Sequence, residues 1–145
     1  QDGAKLTLPT EGTVLLSICD RDRDERVLRA GRRFAELGFK LVASTGTHKF
    51  LAEHGIQSEA MLKVHEGRPN IDDAIRDGRI QLVVNTPSGK LSVTDDSYIR
   101  KSAIRQKVPY ITTVTAALAT VEGIAARLEG EVGVKALQDY HADIL

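Results

Sequence analysis

The sequence has few of the features that anchor or cross-link a protein. Its 145 residues include one cysteine, Cys19, so no internal disulfide can form and the chain suits a reducing compartment. No apolar run approaches the length of about 20 residues that crosses a bilayer, and the N-terminus lacks the apolar segment of a secretory signal peptide. We therefore expect a soluble, cytoplasmic protein without a membrane partner.

The balance of charge argues against a polyanionic partner. Lysine and arginine number 20, aspartate and glutamate also number 20, and no basic run of the kind that tracks a phosphate backbone occurs. A chain of 145 residues can bury enough core to fold without disulfides. We predict no nucleic-acid partner, a linker or lead-in over residues 1–12, and a single domain over residues 13–145.

Apolar strands alternate with amphipathic helices along the chain. Thr13 to Ile18 and Ile80 to Val84 are nearly continuous apolar runs, which are typical of strands buried on both faces of a parallel sheet. Three further strands are predicted at 40–43, 56–62 and 108–113. The alternation predicts an α/β fold, with three α/β/α layers around a five-stranded, mainly parallel, doubly wound sheet.

Capping residues and glycines mark the predicted helices. The first is expected from Arg26 to Leu37, where apolar residues recur at helical spacing before Gly38. The later helices are expected after an N-cap at Asn70, from an N-cap at Thr94 to Ile104, from Thr115 to a stop at Gly130, and from Val132 to about Tyr140.

The stretch from Lys40 to Leu51 carries the strongest functional signal. A short apolar run ends at Ser44-Thr45-Gly46-Thr47, which predicts a strand, a tight turn and a helix start. The unpaired N–H groups and the dipole at a helix start favour an anion. Gly46 would let a ligand approach the backbone, and the three hydroxyls would add donors. An ordinary N-cap by Thr47 is the alternative, and it explains only one hydroxyl.

Two further polar segments follow predicted strands. Lys63 follows the strand predicted at 56–62, and Asn85-Thr86-Pro87-Ser88-Gly89 follows the strand that ends at Val84. In a doubly wound sheet, ligands bind in a crevice beyond the carboxyl ends of the strands. We therefore predict a site for a phosphorylated small molecule whose other end is hydrogen-bonded through Asn85.

A catalytic role has weaker support. His65 and Glu66 are the candidates for acid–base chemistry, and hydrogen bonds from them to their own loop are an equally good interpretation. The four histidines lack the spacing of metal ligands, and neither a Walker-type loop nor a dinucleotide fingerprint occurs. The residues favour a binding module over a catalyst, so we predict no catalytic residue and no metal site.

Several segments together resemble the methylglyoxal-synthase-like superfamily. They are Gly12-Thr-Val-Leu-Leu-Ser-Ile, Leu37-Gly-Phe-Lys-Leu-Val-Ala-Ser-Thr-Gly-Thr, Lys63-Val-His-Glu-Gly-Arg-Pro-Asn-Ile and Val84-Asn-Thr-Pro-Ser-Gly. Within the superfamily, the chain is most similar to the C-terminal allosteric domains of carbamoyl-phosphate synthase large chains. The Lys63 segment, the Asn85 turn and Ile99-Arg-Lys-Ser-Ala mark that branch, and the resemblance runs from about Leu8 to Tyr140.

This resemblance implies a regulatory domain that binds a nucleotide monophosphate such as UMP or IMP, with ornithine as a further effector. It would control carbamoyl phosphate synthesis for pyrimidine and arginine biosynthesis. Three positions depart from the pattern, with Asp24 in place of a phosphate-binding lysine, Pro87 in place of a threonine and Asp96 in place of a serine; Asp24 would repel a phosphate. The implied effector-binding residues are Ser44, Thr45, Gly46, Thr47, Lys63, Asn85, Thr86, Ser88 and Ile99.

The implied partners belong to a longer parent enzyme, an ATP-dependent, glutamine-hydrolysing ligase. They are the preceding synthetase domains, which would use ATP and Mg, and a glutamine amidotransferase small chain; this domain itself would need no cofactor. One alternative is a structural or homo-oligomerising module whose effector site has decayed. Another is a standalone methylglyoxal-synthase-like lyase, which lacks support because the catalytic aspartate of that branch is not found at Gly67-Arg68-Pro69-Asn70.

Overall fold

Strands and helices alternate as the pattern predicts. The structure, a computed structural model, describes residues 9–63, 66–86 and 93–143, and within them the side chains outside 93–96 and 131–143. The described strands are β1 (Thr13–Ser17), β2 (Lys40–Ser44), β3 (Glu59–Met61), β4 (Leu82–Asn85) and β5 (Tyr110–Ile111). The helices are α1 (Glu25–Glu36), α2 (Thr45–Glu53), α3 (Ile71–Arg76), α4 (Val93–Arg105) and α5 (Val114–Asp143), and a 3₁₀ turn spans Asp20–Asp22.

The five strands form one parallel sheet in the order β3-β2-β1-β4-β5. The chain winds outward from β1 to β3 and then returns to place β4 on the other side of β1. The direction of winding therefore reverses between β1 and β4. The predicted doubly wound α/β sheet is confirmed, and this reversal marks where a ligand crevice is expected.

The sheet is covered on both faces, as the apolar runs predict. In β1, Val14 and Leu16 pack into one buried cluster, whereas Leu15 packs into the other. The alternation follows from the two-residue period of a strand. The first cluster takes its helical residues from α1, α2 and α5, and the second takes them from α3 and α4.

The third strand is shorter than predicted. It begins at Glu59 rather than at Ile56. Ile56 donates its backbone N–H to the carbonyl of Leu51 at 2.9 Å, around a Gly55 with φ of 80°. These are the features of a glycine C-cap, so the Ile56 backbone ends α2 rather than pairing in the sheet.

Two other predicted element starts are wrong. The fifth strand contains only Tyr110 and Ile111 rather than residues 108–113. Pro109 before it has no N–H for a strand ladder, and Thr113 after it accepts N–H groups of α5. Helix α4 already includes Val93, so Thr94 lies within it and is not its N-cap.

The C-terminal helix does not stop at Gly130. Helix α5 is continuous from Val114 to Asp143, so the separate helix predicted from Val132 is part of it. A glycine inside a helix costs only about 1 kcal/mol relative to alanine, which is too little to end a long helix by itself. Across the described residues, no helix is both long enough and apolar enough to span a membrane.

Candidate functional site

The predicted binding segments meet at the carboxyl edge of the sheet. Ser17 at the end of β1 pairs with Asn85 of β4, and Ser44 at the end of β2 pairs with Met61 of β3. Lys63 follows Met61 and therefore leaves the sheet at the same edge. Pro87, Ser88 and His65 lie outside the described residues, as does the side chain of Asp96.

Helix α2 begins directly at the end of β2. The helix starts at Thr45, and Ser44 occupies the N-cap position with extended backbone but without a side-chain capping bond. The tight turn predicted before the helix is therefore absent, and Thr47 lies in the first helical turn rather than at the N-cap. The backbone N–H groups of this turn have no intrahelical acceptor and point to the carboxyl edge of the sheet.

The Thr47 hydroxyl is used inside the fold. It accepts the Ile18 N–H at 2.9 Å, donates to the Ile18 carbonyl at 3.1 Å and accepts from the Ser44 hydroxyl at 3.0 Å. A hydroxyl has one donor and two acceptor sites, so all three are occupied. Thr47 is 0% exposed. In this conformation it fastens the end of β1 to α2, and the anion donors of the turn are its backbone N–H groups.

The loop after β1 is also fastened to β4. Cys19 donates its N–H to the Thr86 hydroxyl at 2.8 Å, and Thr86 donates its own N–H to the Ser17 carbonyl at 3.0 Å. Thr86 is buried, and Asn85 is only 2% exposed. The loops on both sides of the winding reversal thus form one hydrogen-bonded unit.

Arg23 is the functional candidate that the sequence reasoning missed. Its Nε donates to the Ile18 carbonyl at 2.9 Å, and a Cβ placed on Gly46 would lie 2.4 Å from its Nη2. The guanidinium therefore rests against the first turn of α2, with the side chain 21% exposed and ion-paired to the exposed carboxylate of Asp20. An anion at this helix start would meet a second source of positive charge.

Asp24 has a capping role in the structure. It is the N-cap of α1 and accepts the Arg26 N–H at 2.9 Å. The Arg26 side chain, which also hydrogen-bonds to this carboxylate, holds the pKa of Asp24 below its usual value. The side chain that approaches Gly46 is that of the preceding residue, Arg23, whereas the Asp24 carboxylate is ion-paired with Arg26.

Lys63 stands at the start of a short structured loop. Its N–H donates to a Glu66 carboxylate oxygen at 2.7 Å, and Glu66 returns its own N–H to the Lys63 carbonyl at 2.9 Å. Glu66 therefore hydrogen-bonds within its own loop, as the alternative to a role in acid–base chemistry predicted. Lys63 is half-buried, and its ammonium forms no ion pair with the described residues.

Ile99 differs from the other candidates because it is a core residue. Its side chain is 1% exposed and belongs to the cluster that also contains Ile71 and Val83. Its contribution to a site is to pack α4 against the sheet.

A cavity lies at the end of the sheet opposite the predicted binding segments. This cavity of about 650 Å³ is lined by Phe39 and Lys40 at the start of β2, by Glu59 at the start of β3 and by the end of α1. Ligands of doubly wound sheets bind at the carboxyl ends of the strands, so the crevice at the other end is the candidate site.

The family model for the MGS-like domain matches residues 26–112. The chain belongs to the MGS-like domain family. This MGS-like domain is 42% identical to a carbamoyl phosphate synthase large chain of Archaeoglobus fulgidus over 97% of its own length and 13% of the relative's. It is 46% identical to the corresponding chain of Mesorhizobium japonicum over 98% of its length and 12% of the relative's. The resemblance to carbamoyl-phosphate synthase large chains is confirmed.

A solved structure supports the fold of the MGS-like domain. Methylglyoxal synthase from Elizabethkingia anophelis superposes with a TM-score of 0.60 at 19% identity, covering 81% of this chain and 78% of that one. At this identity the likeness shows the fold alone. The domain spans only about an eighth of the length of the synthase chains that it matches.

Proposed function

We propose that this MGS-like domain is the regulatory domain of a carbamoyl-phosphate synthase and binds a nucleotide monophosphate of the UMP or IMP type. The observation that supports this most is the guanidinium of Arg23 resting against Gly46 at the start of α2. It adds a cation to a helix start that already favours anions. The curated relatives give the parent enzyme in which such regulation would act.

The phosphate end of the effector would lie at the first turn of α2. Two kinds of donor lie there, the backbone N–H groups of residues 45–47 and the guanidinium of Arg23, and we propose that the ammonium of Lys63 reaches the phosphate from the neighbouring loop. Charge-assisted bonds to a phosphate are stronger than neutral ones, and arginine suits phosphate because its N–H groups form a planar fork. Asp20 would compete with the phosphate for Arg23, since the two are ion-paired.

The nucleoside end would extend along the crevice toward β4. Asn85 ends that strand, and its side-chain amide can both donate and accept hydrogen bonds. Ser17 of β1 pairs with Asn85, which puts Asn85 one strand away from the Thr47–Ile18 junction. A molecule that joins a phosphate to a hydrogen-bonding base or sugar matches this separation better than inorganic phosphate does.

Regulation would act through the packing of this domain on the rest of the parent chain. An effector shifts such an equilibrium only through different affinities for the two arrangements, and substrate binding must then change effector affinity by the same factor. A typical coupling is on the order of 1–3 kcal/mol. The proposed partners are the synthetase domains of the same chain and the glutamine amidotransferase small chain, with ornithine as a second effector.

Calorimetric titration of the purified chain with UMP, IMP and ornithine tests the proposal. We expect saturable nucleotide binding that Lys63→Ala weakens tenfold or more, which corresponds to roughly 1.4 kcal/mol. The matched control is Lys40→Ala, since Lys40 is exposed and starts β2 at the opposite edge of the sheet.

Equal losses in the two variants would mean that a nonspecific charge effect, rather than a site at the crevice, drives binding. Absence of nucleotide binding at millimolar concentration would refute the effector site. The domain would then be better interpreted as a structural or oligomerising module.

A further inference from the structure

We propose that the groove between α3 and α4 binds a small organic dianion, either a phosphate monoester or a dicarboxylate. The groove is lined by side chains from residues 68–76 and 98–105. Helices α3 and α4 pack on one face of the sheet, whereas α2 packs on the other. The groove is therefore separate from the proposed effector site at the first turn of α2, and the inference does not depend on that site.

The shape and charge of the groove suit a small anion. It encloses a concave space of about 430 Å³, within the range of roughly 300–1,000 Å³ that small-molecule sites occupy. Its charged lining consists of the cations Arg68, Arg76, Lys101 and Arg105 and the carboxylates Asp72 and Asp73. Four positive charges against two negative ones leave an excess of two positive charges.

The two carboxylates already have partners in the wall of the groove. Asp73 accepts hydrogen bonds from Arg68 at 2.7 Å and from Arg76 at 3.0 Å. Asp72 accepts from the Ser102 hydroxyl and pairs with the Nε of Arg76 at 3.1 Å. Each carboxylate side chain is only 14% exposed. The two acids are therefore part of the folded wall and require no further cation.

The excess positive charge lies on α4. Lys101 and Arg105 are four residues apart, so their side chains share one face of the helix. Both are exposed, and neither forms an ion pair or a hydrogen bond within the part of the chain that the structure describes. Like charges at this spacing repel each other, and a bound dianion would relieve that repulsion. The planar fork of an arginine suits a carboxylate or a phosphate.

Tyr98 gives the groove an apolar rim. It lines the groove one helical turn before Lys101, and 51% of its surface is exposed. An aromatic ring that is exposed to this extent can cover the carbon atoms of a ligand. An organic dianion would use both the ring and the cations, whereas an inorganic one would use the cations alone. We therefore expect organic dianions to bind more tightly than sulfate.

An NMR titration of the ¹⁵N-labelled chain tests the proposal. The probes are succinate, glycerol phosphate and sulfate, each added at constant ionic strength and at a pH above the second pKa of a phosphate monoester, about 6. We expect saturable amide shifts in residues 97–105 with succinate or glycerol phosphate, and weaker binding of sulfate. The tighter of the two organic probes identifies the ligand as a dicarboxylate or as a phosphate monoester.

A matched pair of double variants tests the cations. Lys101→Gln combined with Arg105→Gln should raise the dissociation constant of the tighter probe by about tenfold or more, because two charge-assisted contacts are lost. The control combines Arg100→Gln with Lys107→Asn, which removes two exposed cations that do not line the groove. Asparagine suits position 107 because the φ of Lys107 is 60°. The control should keep the affinity of the wild type.

Three outcomes would overturn the proposal. Shifts in residues 97–105 that do not saturate, or equal losses in the two double variants, would show a nonspecific effect of charge. Shifts confined to residues 45–47 would show that the dianions bind only at the first turn of α2. The proposed function is tested apart from this, since a failure to bind UMP and a failure to bind succinate or glycerol phosphate in the groove are separate results.

Discussion

At the scale of single residues, one glycine decides how closely a cation approaches the first turn of α2. Gly46 lies in the first turn of α2, and the guanidinium of Arg23 occupies the space that a Cβ would fill. The sequence predicts that Gly46 lets a ligand approach the backbone, and the structure shows the Arg23 guanidinium in that space. The sequence does not predict Arg23, since alternating charges suggest a solvated loop and the contact with Gly46 arises only in the folded chain.

Gly46→Ala should weaken effector binding with little effect on the stability of the fold. The new methyl group would displace Arg23, so we expect the dissociation constant for UMP to rise at least fivefold. Alanine is favoured over glycine within a helix by roughly 0.5–1 kcal/mol, which offsets the cost of moving the flexible Arg23 side chain, so we expect little change in the free energy of unfolding. Calorimetric titration and urea unfolding measure the two quantities.

The control for this change is Gly123→Ala, at a helical glycine with open space around it. It should leave UMP affinity unchanged. If Gly46→Ala binds UMP as the wild type does, Arg23 is not part of the phosphate site.

At the scale of elements, local capping signals succeed where both partners are close in the chain. Asn70 is predicted as an N-cap, and the structure shows a reciprocal capping box in which Asn70 and Asp73 bond each other's backbone. For Thr47, an N-cap was the alternative interpretation, and the structure places Ser44 rather than Thr47 at the N-cap position. The Thr47 hydroxyl is hydrogen-bonded to the backbone of Ile18, directly after β1, and such a long-range partner leaves no trace in local sequence.

The capping box predicts a dependence of stability on pH. The backbone N–H of Asn70, together with Arg68 and Arg76, holds the pKa of Asp73 below its usual value. A lowered pKa means that the carboxylate stabilises the fold above its unfolded pKa of about 3.9 and that this contribution is lost as pH falls through the folded value. We therefore expect Asp73→Asn to destabilise the chain near pH 7 and to converge with the wild type in acid.

Urea unfolding at a series of pH values measures this difference. The control is Asp77→Asn at the other end of α3, where removal of a negative charge from a helix C-terminus should not destabilise. A difference between Asp73→Asn and the wild type that stays constant down to pH 2 would contradict the assigned role.

At the scale of the whole molecule, the alternation of strands and helices is enough to predict a five-stranded, doubly wound parallel sheet, whereas the strand order comes from the structure. Buried parallel strands have continuous apolar runs, and the winding reversal then follows from the strand order. Helix length was less predictable, because Gly130 is a weak signal beside the helix-forming residues around it. The position of the candidate site follows from the order of the strands. The hydrogen bonds of Thr47 and Thr86 that join the loops there could not be predicted, because they connect segments far apart in the sequence.

Residues 39–41 and 55–59 line a cavity at the end of the sheet opposite the proposed effector site, and one measurement distinguishes the two regions. In a titration of the ¹⁵N-labelled chain with UMP, followed by amide chemical shifts, we predict that the largest changes occur at residues 45–47. Smaller changes are expected at Cys19 and Thr86, which are hydrogen-bonded to each other at the winding reversal. Changes confined to residues 39–41 and 55–59, which line the opposite cavity, would contradict the proposed effector site.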